Sequence, residues 1–546
     1  MSVAPMPLAG AAADRGFLSR LGFDRIATAL VIIVVAVFAA AFQFRGTLAE
    51  YDLYWVLVGL LDGHATGLGT GATMHYGLPI SFGYYELFDH LVPGRILGDP
   101  DRLIPVMNAV GLVSSVAGLV ALALAVTSAY GTRVALVTVA LFGLSPLYLD
   151  MALSGHPLLP ALAATFAGAA LLFAETVGPR RVVAWSFAAL LLFAGLTIRA
   201  EVLIAFGWLV VARADTRSLR AFVTSAALRA VPPGVAVLAF FLAQRFYVDP
   251  EAGGSGTLAE FLKTFYDLRN IGKGVGFLAV GLGPALVVAT AAALVWSLMQ
   301  ARHLPRPELA RLLLGPLALM GPCLLLWLPN PSPSRHFTVL ALGSALLIGR
   351  VVDRLRWSPP AVIAAIVLCI AGNEVVSEAA RPLLLTRLNS PYVNFPERDR
   401  TLTQAPVGFA WRHHEAMQER HDAWTTQASL LAHTCDRRVI VLGDERFEMI
   451  AGLYRQGGAP TLSRTTVGGY GAITAIRPDG QRIDLIETYH DWPADAVARL
   501  LAAPDVAGAA LMQVPWSRSV YDVTPVPADR LPVQDCRAAP ELRGSL

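Results

Sequence analysis

Apolar residues in this chain gather into runs of about 17–25 residues, the length that crosses the hydrocarbon of a bilayer as a helix. The first run covers 26–42. Further runs cover 103–127, 133–149, 157–175, 182–198, 202–212, 231–247, 275–299, 311–328, 337–351 and 359–376, which makes about eleven helical spans. The pieces around 199–212 are short, which a bundle tolerates when they pack inside it or tilt. Basic residues precede the first run, as in a signal peptide. The run is longer than a signal core and many spans follow, so a retained first helix is expected.

Three stretches break the pattern. Segment 45–102 is too polar to span a bilayer and too aromatic for an ordinary solvated loop, and segment 248–274 is Gly-rich and then amphipathic. From about 379 the composition becomes that of a globular domain. There RRVIVLGDERFEMIAGLYRQ predicts a strand, a turn and a helix, and ITAIRPDGQRIDLIETY predicts a hairpin turning at Pro478-Asp479-Gly480. PADAVARLLAAP followed by GAALMQV predicts a helix feeding a strand. The expected fold is therefore a polytopic α-helical membrane domain over 1–378 and a soluble α/β domain over 379–546. VIVLGDE lacks the G-x-G-x-x-G of a dinucleotide site.

Composition agrees with this division. Hydrophobic residues make up 55% of the 546 and charged residues only 15%, well below the roughly one quarter usual in soluble domains. That excludes a soluble enzyme built on one core, and a net charge of +3 gives no footing for nucleic acid. The positive-inside pattern sets the orientation. Arg133, Arg180, Arg181, Arg213, Arg217, Arg220, Arg229, Arg302, Arg306, Arg311, Arg350, Arg354 and Arg356 share one side when the N-terminus is cytoplasmic. The 45–102 loop, the 248–274 loop and the C-terminal domain are then extracytoplasmic. Cys323 and Cys369 fall in apolar runs and read as core, whereas Cys435 and Cys536 could pair in an oxidising compartment.

The outer side collects the candidate chemistry. Asp52 follows the first span, beside Glu50, Tyr51, Tyr54 and Trp55; the loop continues through His75-Tyr76-Gly77 to Pro79 and an aromatic stripe. A carboxylate near low-dielectric surroundings has a raised pKa and can take a proton from a hydroxyl; its plain reading is a solvated helix end. Asp150 and His156 frame the next outer turn, where a charge beside the bilayer is costly and usually has a purpose. Arg199 and Glu201 sit at a helix end, where a structural ion pair is as good a reading as a site. Arg335 and His336 lie in a Pro-rich outer turn, suited to an anionic partner. Segment 248–274 carries Phe261, Phe265 and Tyr266, together with Lys263, Arg269 and Lys273. Lys263 and Lys273 are the only lysines of the chain, and a lysine ammonium is a good point-charge partner for phosphate.

The order of these residues resembles that of the GT-C glycosyltransferases, integral enzymes that use polyprenyl-phosphate sugars. The likeness rests on Tyr51-Asp52-Leu53-Tyr54 after the first span, His75-Tyr76-Gly77-Leu78-Pro79 and Tyr84-Tyr85 in the first outer loop, Asp150, Arg199, Ser334-Arg335-His336 and the outer α/β domain. It is similar to the group containing protein mannosyl-, aminoarabinose- and arabinofuranosyl-transferases. The resemblance implies an inverting transfer from a polyprenyl-phosphate-linked sugar to a glycan, lipid or protein acceptor, in a bacterial inner membrane. It places Asp52 at the catalytic acidic position and Asp150 at the second. Lys263, Arg269, Lys273, Arg335 and His336 become donor-phosphate candidates, and Glu50, His75, Tyr76, His156, Arg199 and Tyr266 substrate contacts. Only some branches need a divalent metal, and no metal-ligand spacing is present in the sequence. Two departures leave the sugar open: Glu50-Tyr51-Asp52 replaces an adjacent acidic pair, and His75 or Tyr76 stands where some branches have a basic residue. The alternative is a glycolipid transporter or flippase, which should show charged or broken helices at midmembrane and repeat symmetry.

Overall fold

A computed structural model describes residues 11–43, 51–66, 82–174, 177–247, 268, 271–329, 337–387, 437–442, 446–455, 459–486 and 496–513; the side chains of Asp52, Asp150 and Lys273 lie outside the described set. Helix α1 (Ala11–Gln43) leads to α2 (Tyr51–Thr66), α3 (Phe82–Leu91) and the single turn α4 (Gly94–Leu97). Then come α5 (Pro100–Tyr130), α6 (Thr132–Gly143), α7 (Pro146–Ser154), α8 (Leu158–Phe173) and α9 (Pro179–Ile198). A 3-10 turn (Ala200–Ala205) runs into α10 (Phe206–Val211), followed by α11 (Leu219–Arg229) and α12 (Val231–Tyr247). The bundle ends with α13 (Ile271–Leu282), α14 (Pro284–Gln300), α15 (Arg306–Trp327), α16 (Thr338–Arg354) and α17 (Pro359–Arg387).

By length and composition, α5, α9, α15 and the 20-residue stretch Gly22–Ala41 of α1 can each cross a membrane, and two bent pairs raise the number from 4 to 6. The bent pairs are Thr132–Gly143 with Leu147–Leu153, at 67°, and Leu219–Arg229 with Val231–Ala243, at 42°. Four shorter apolar helices accompany them, Leu158–Phe173, Ala200–Val211, Pro284–Gln300 and Pro359–Asn373. The roughly eleven runs of the sequence are thus all helical, but several are short or broken. Run 275–299 breaks at Gly283, whose φ of +84° favours glycine. Short helices are tolerated because the bundle covers them: Leu158, Leu159, Leu162, Phe166, Ala169 and Phe173 of α8 are buried between α5 and α9. Residues Ile26, Leu30, Ile33 and Val37 of α1 are more than half exposed, an apolar stripe facing outward. That stripe is what lipid covers in a multi-pass membrane protein.

Helix α5 gives the bundle its scale. Its 31 residues extend about 46 Å at a rise of about 1.5 Å per residue. Counting a hydrocarbon core of about 30 Å back from Tyr130, some 20 residues, sets the opposite boundary near Gly111. With Tyr130 at one boundary, the first ten or so residues of α5 project beyond the hydrocarbon.

The C-terminal domain holds a five-stranded sheet in the order β2-β3-β4-β1-β5. Its members are β1 (Arg438–Leu442), β2 (Thr461–Val467), β3 (Tyr470–Ile476), β4 (Arg482–Ile486) and β5 (Ala510–Gln513), with helices α18 (Arg446–Arg455) and α19 (Ala496–Ala502). Strand β1 lies parallel to β4 and β5, whereas β2, β3 and β4 form an antiparallel meander. The expected hairpin is present, closed by Gly480 at φ +83° and by the Arg477 amide donating to the Gln481 carbonyl. Asp484 on β4 is completely buried, and its carboxylate accepts from Arg438, Arg482 and the Thr474 hydroxyl. Such a charge is tolerable in an interior only because every oxygen is occupied.

Candidate functional site

The boundary that α5 sets near Gly111 coincides with the turn between α7 and α8. A Cβ on Gly111 would come within 2.4 Å of the Gly155 Cα, so the two backbones touch. One helical turn along, the Tyr148 hydroxyl donates to the Ser115 carbonyl at 2.6 Å. The turn exists because Ser145 caps the start of α7 by accepting from the Tyr148 amide, and Gly155 ends α7 in the left-handed region at φ 70°. His156 follows, fully buried, and its Nδ1 accepts from the Leu158 amide at 3.0 Å. The sequence marked His156 as a substrate contact; in the fold its ring accepts from the first amide of α8, a role its spacing before Pro157 did not signal. Asp150 lies on α7, with its side chain outside the described set.

Three other chain segments meet this turn. The Thr338 hydroxyl, opening α16, lies 3.8 Å from the Met151 sulfur, one residue from Asp150. Helix α13 packs against α7 as well as α14. A Cβ on Gly274, beside Lys273, would come within 2.0 Å of the Leu328 carbonyl at the end of α15. The described neighbours of Asp150, Lys273 and the Arg335-His336 turn thus converge, although those sequence positions are more than a hundred residues apart at the extremes. Glu50, His75, Tyr76, Lys263, Tyr266, Arg269, Arg335 and His336 lie outside the described residues, as do Cys435 and Cys536. Cys323 is buried and Cys369 half-buried, both as free thiols, in keeping with the core role expected.

Arg199 and Glu201 form a two-pronged pair at 3.0 and 3.3 Å, with 11% and 18% of their side chains exposed. Arg199 caps the end of α9, whose 20 residues rise about 30 Å from the Arg180-Arg181 end, one hydrocarbon thickness. A Cβ on Gly83 would strike the Thr197 side chain at 2.2 Å, so the start of α3 sits against the end of α9. Tyr84 and Phe88 of α3 are buried in ring contact, centroids 5.0 Å apart. Burial pushes the Tyr84 hydroxyl well above its ordinary pKa, which rules it out as a base near neutrality.

Helix α2, which carries Asp52 in its first turn, is covered on nearly every side. Leu53, Tyr54, Val56, Leu57, Leu60 and Leu61 are buried against α3, α4, α5 and α18 of the C-terminal domain. Asp62 is buried at the far end of α2, under Tyr454 of α18. Burial first, and the Asp62 charge second, raise the Tyr454 pKa strongly. Beside it Arg455 pairs with Asp101 at 2.7 Å, joining the C-terminal domain to the projecting end of α5. Asp62 lies ten residues beyond Asp52 on the same helix, and nothing in the sequence pointed to its neighbour Tyr454, some 390 residues away. Among the described residues no group of three or more His, Cys, Asp or Glu side chains could hold a metal ion.

No family pattern and no curated protein sequence matches the chain. Among solved structures it is similar to ArnT from Cupriavidus metallidurans in the apo state, with a TM-score of 0.48 and 14% identity over 82% of this chain and 86% of that one. The structure of the same protein bound to undecaprenyl phosphate gives a TM-score of 0.44 and 13% identity over 80% and 76%. The apo oligosaccharyltransferase of Archaeoglobus fulgidus gives 0.45 and 12%, over 78% of this chain and 64% of that one.

Proposed function

We propose that the chain is an integral-membrane glycosyltransferase that moves a sugar from a polyprenyl-phosphate carrier to an acceptor hydroxyl outside the cytoplasm. The observation that supports this most is the convergence of the α7–α8 turn, the start of α13, the end of α15 and the start of α16 at one membrane boundary. These elements flank the acidic position Asp150 and the cationic positions Lys273, Arg335 and His336. A lipid-borne phosphate at that boundary needs cations for the phosphate and a carboxylate for the acceptor.

In the proposed step Asp52 accepts the proton of the acceptor hydroxyl as its oxygen attacks the anomeric carbon. The carbon–oxygen bond to phosphate breaks, and polyprenyl phosphate leaves with the electron pair. Lys263, Arg269, Lys273, Arg335 and His336 would neutralise that phosphate, and Asp150 would orient the reacting groups. Attack from the face opposite the phosphate gives inversion. The enzyme would sit in a bacterial inner membrane, its N-terminus cytoplasmic and its C-terminal domain outside, with that domain bracing α2.

The test is transfer of label from a panel of polyprenyl-phosphate sugars, in membranes holding wild-type chain or Asp52→Asn. Label reaching an acceptor with wild type alone supports the reading and names the donor. Equal transfer by a well-expressed Asp52→Asn removes Asp52 from the chemistry. No transfer from any donor, with native acceptor lipids present, favours glycolipid transport instead.

A further inference from the structure

At the end of α5 remote from the C-terminal domain the helices enclose a cleft of about 1080 Å³. That is just above the range of ordinary ligand pockets, roughly 300–1,000 Å³. It is bounded by the ends of α5, α10 and α16 and the start of α15, and six arginines against three carboxylates line it. The carboxylates do not cancel the excess. Asp215 is taken by Arg217, whose hydrogen bonds hold its pKa down at about 2, and Glu308 is taken by Arg354 at 2.9 Å. Asp353 remains, within the fields of Arg133, Arg350 and Arg356 together.

The floor of this cleft is built rather than incidental. Arg350 lies with its guanidinium carbon 4.6 Å from the Tyr130 ring centroid. Tyr130 is itself fixed, because its hydroxyl accepts from the Trp208 indole at 3.1 Å and sits in the notch left by Gly315. Any side chain at 315 would meet that hydroxyl at 2.4 Å. Arg350 is therefore held in place, with Asp353 as its carboxylate neighbour and the like charges of Arg311 and Arg354 beyond it. Holding like charges together in a half-covered place is costly, and a bound anion would relieve it. Guanidinium forks match phosphate oxygens in pairs. The walls Ala129, Val134 and Leu312 are apolar. Basic pockets between membrane helices on the positive side suit lipid headgroups.

We propose that this cleft binds the phosphate group of an anionic phospholipid of the cytoplasmic leaflet, with Arg350 at its floor and Arg311 at its rim. The site is separate from the transfer site by the length of α5 and does not depend on the transfer reading.

The test is native mass spectrometry of the full chain in detergent micelles, titrated with dioleoyl-phosphatidylglycerol, with dioleoyl-phosphatidylcholine as the neutral comparison. Wild type should retain phosphatidylglycerol in preference to phosphatidylcholine. Arg311→Gln combined with Arg350→Gln should weaken that binding about tenfold or more, the loss of a charge-assisted phosphate contact. Gly315→Ala, which displaces Tyr130 without removing any charge, should weaken it too. Arg220→Gln combined with Arg306→Gln, outside the cleft lining, should leave it unchanged. Inorganic phosphate is the arm that separates sources. Failure to displace the lipid supports a headgroup, whereas full displacement at matched concentration overturns the lipid assignment in favour of a soluble phosphate ligand. Equal weakening by the Arg220/Arg306 pair, or none by the Arg311/Arg350 pair, overturns the site and leaves only diffuse attraction to arginines.

Discussion

At the scale of single residues the C-terminal domain gives the sharpest expectations. Asp484 is a buried carboxylate with Arg438, Arg482 and Thr474 arranged around it. Asp484→Ala leaves those guanidinium groups without a counter-charge and should cost about 3–5 kcal/mol, read as a lowered midpoint in denaturation of the purified chain. Tyr454 makes the opposite case. Its hydroxyl is buried with no hydrogen-bond partner among the described residues. Tyr454→Phe should therefore be neutral or stabilising by about 1 kcal/mol, and a clear loss in the same assay would show the hydroxyl to be bonded. Neither role was legible in the sequence. Asp484 sits inside RIDLIETY, where alternation marks a strand but is silent on what its polar residue meets. Arg199 and Glu201 fared better, since a two-residue spacing already allowed the pair that forms.

At the scale of elements, hydropathy found the helices and not their breaks. Run 133–149 is continuous by composition yet turns by 67° where Leu144 and Ser145 separate α6 from α7. Ser145 and Pro146 are ordinary start signals, overridden in the reading by the apolar residues on either side. In the C-terminal domain the Pro478-Asp479-Gly480 turn was legible because its geometry demands those residues. Strand β2 was missed because TLSRTTV is a largely exposed edge strand, with no buried face to impose alternation. The contact of α5 with the α7–α8 turn is a close backbone approach. Gly111→Ala should cost about 1–3 kcal/mol through overpacking, whereas Gly234→Ala, with nothing within 4 Å of the added carbon, should be neutral or mildly stabilising. Thermal unfolding of the two variants side by side checks this, and an equal response would remove the close approach from the account.

At the scale of the molecule, the division into a helical membrane part and an α/β domain was legible from composition alone. The docking of the domain was not, because α18 meets α2 and α5 across hundreds of residues of chain. The two faces should be distinguishable directly. Cysteine at Arg220, on the arginine-rich face, should react with a membrane-impermeant thiol reagent only after the membrane is opened. Cysteine at Ser463, on exposed β2, should react in intact cells, and the reverse pattern would invert the orientation.

The length of α5 has a consequence for how the chain meets membranes of different thickness. One uninterrupted helix joins the arginine cleft at Tyr130 to the ion pair between Asp101 and Arg455. The distance from the cleft to the docking point of the C-terminal domain is consequently set by residue count, at about 44 Å for 29 steps of about 1.5 Å, and not by the lipid. A thinner bilayer draws its headgroups away from the domain while the domain keeps its distance from the cleft, and a thicker one brings them toward it. The chain carries its own ruler, and the lipids around it must adjust to the gap.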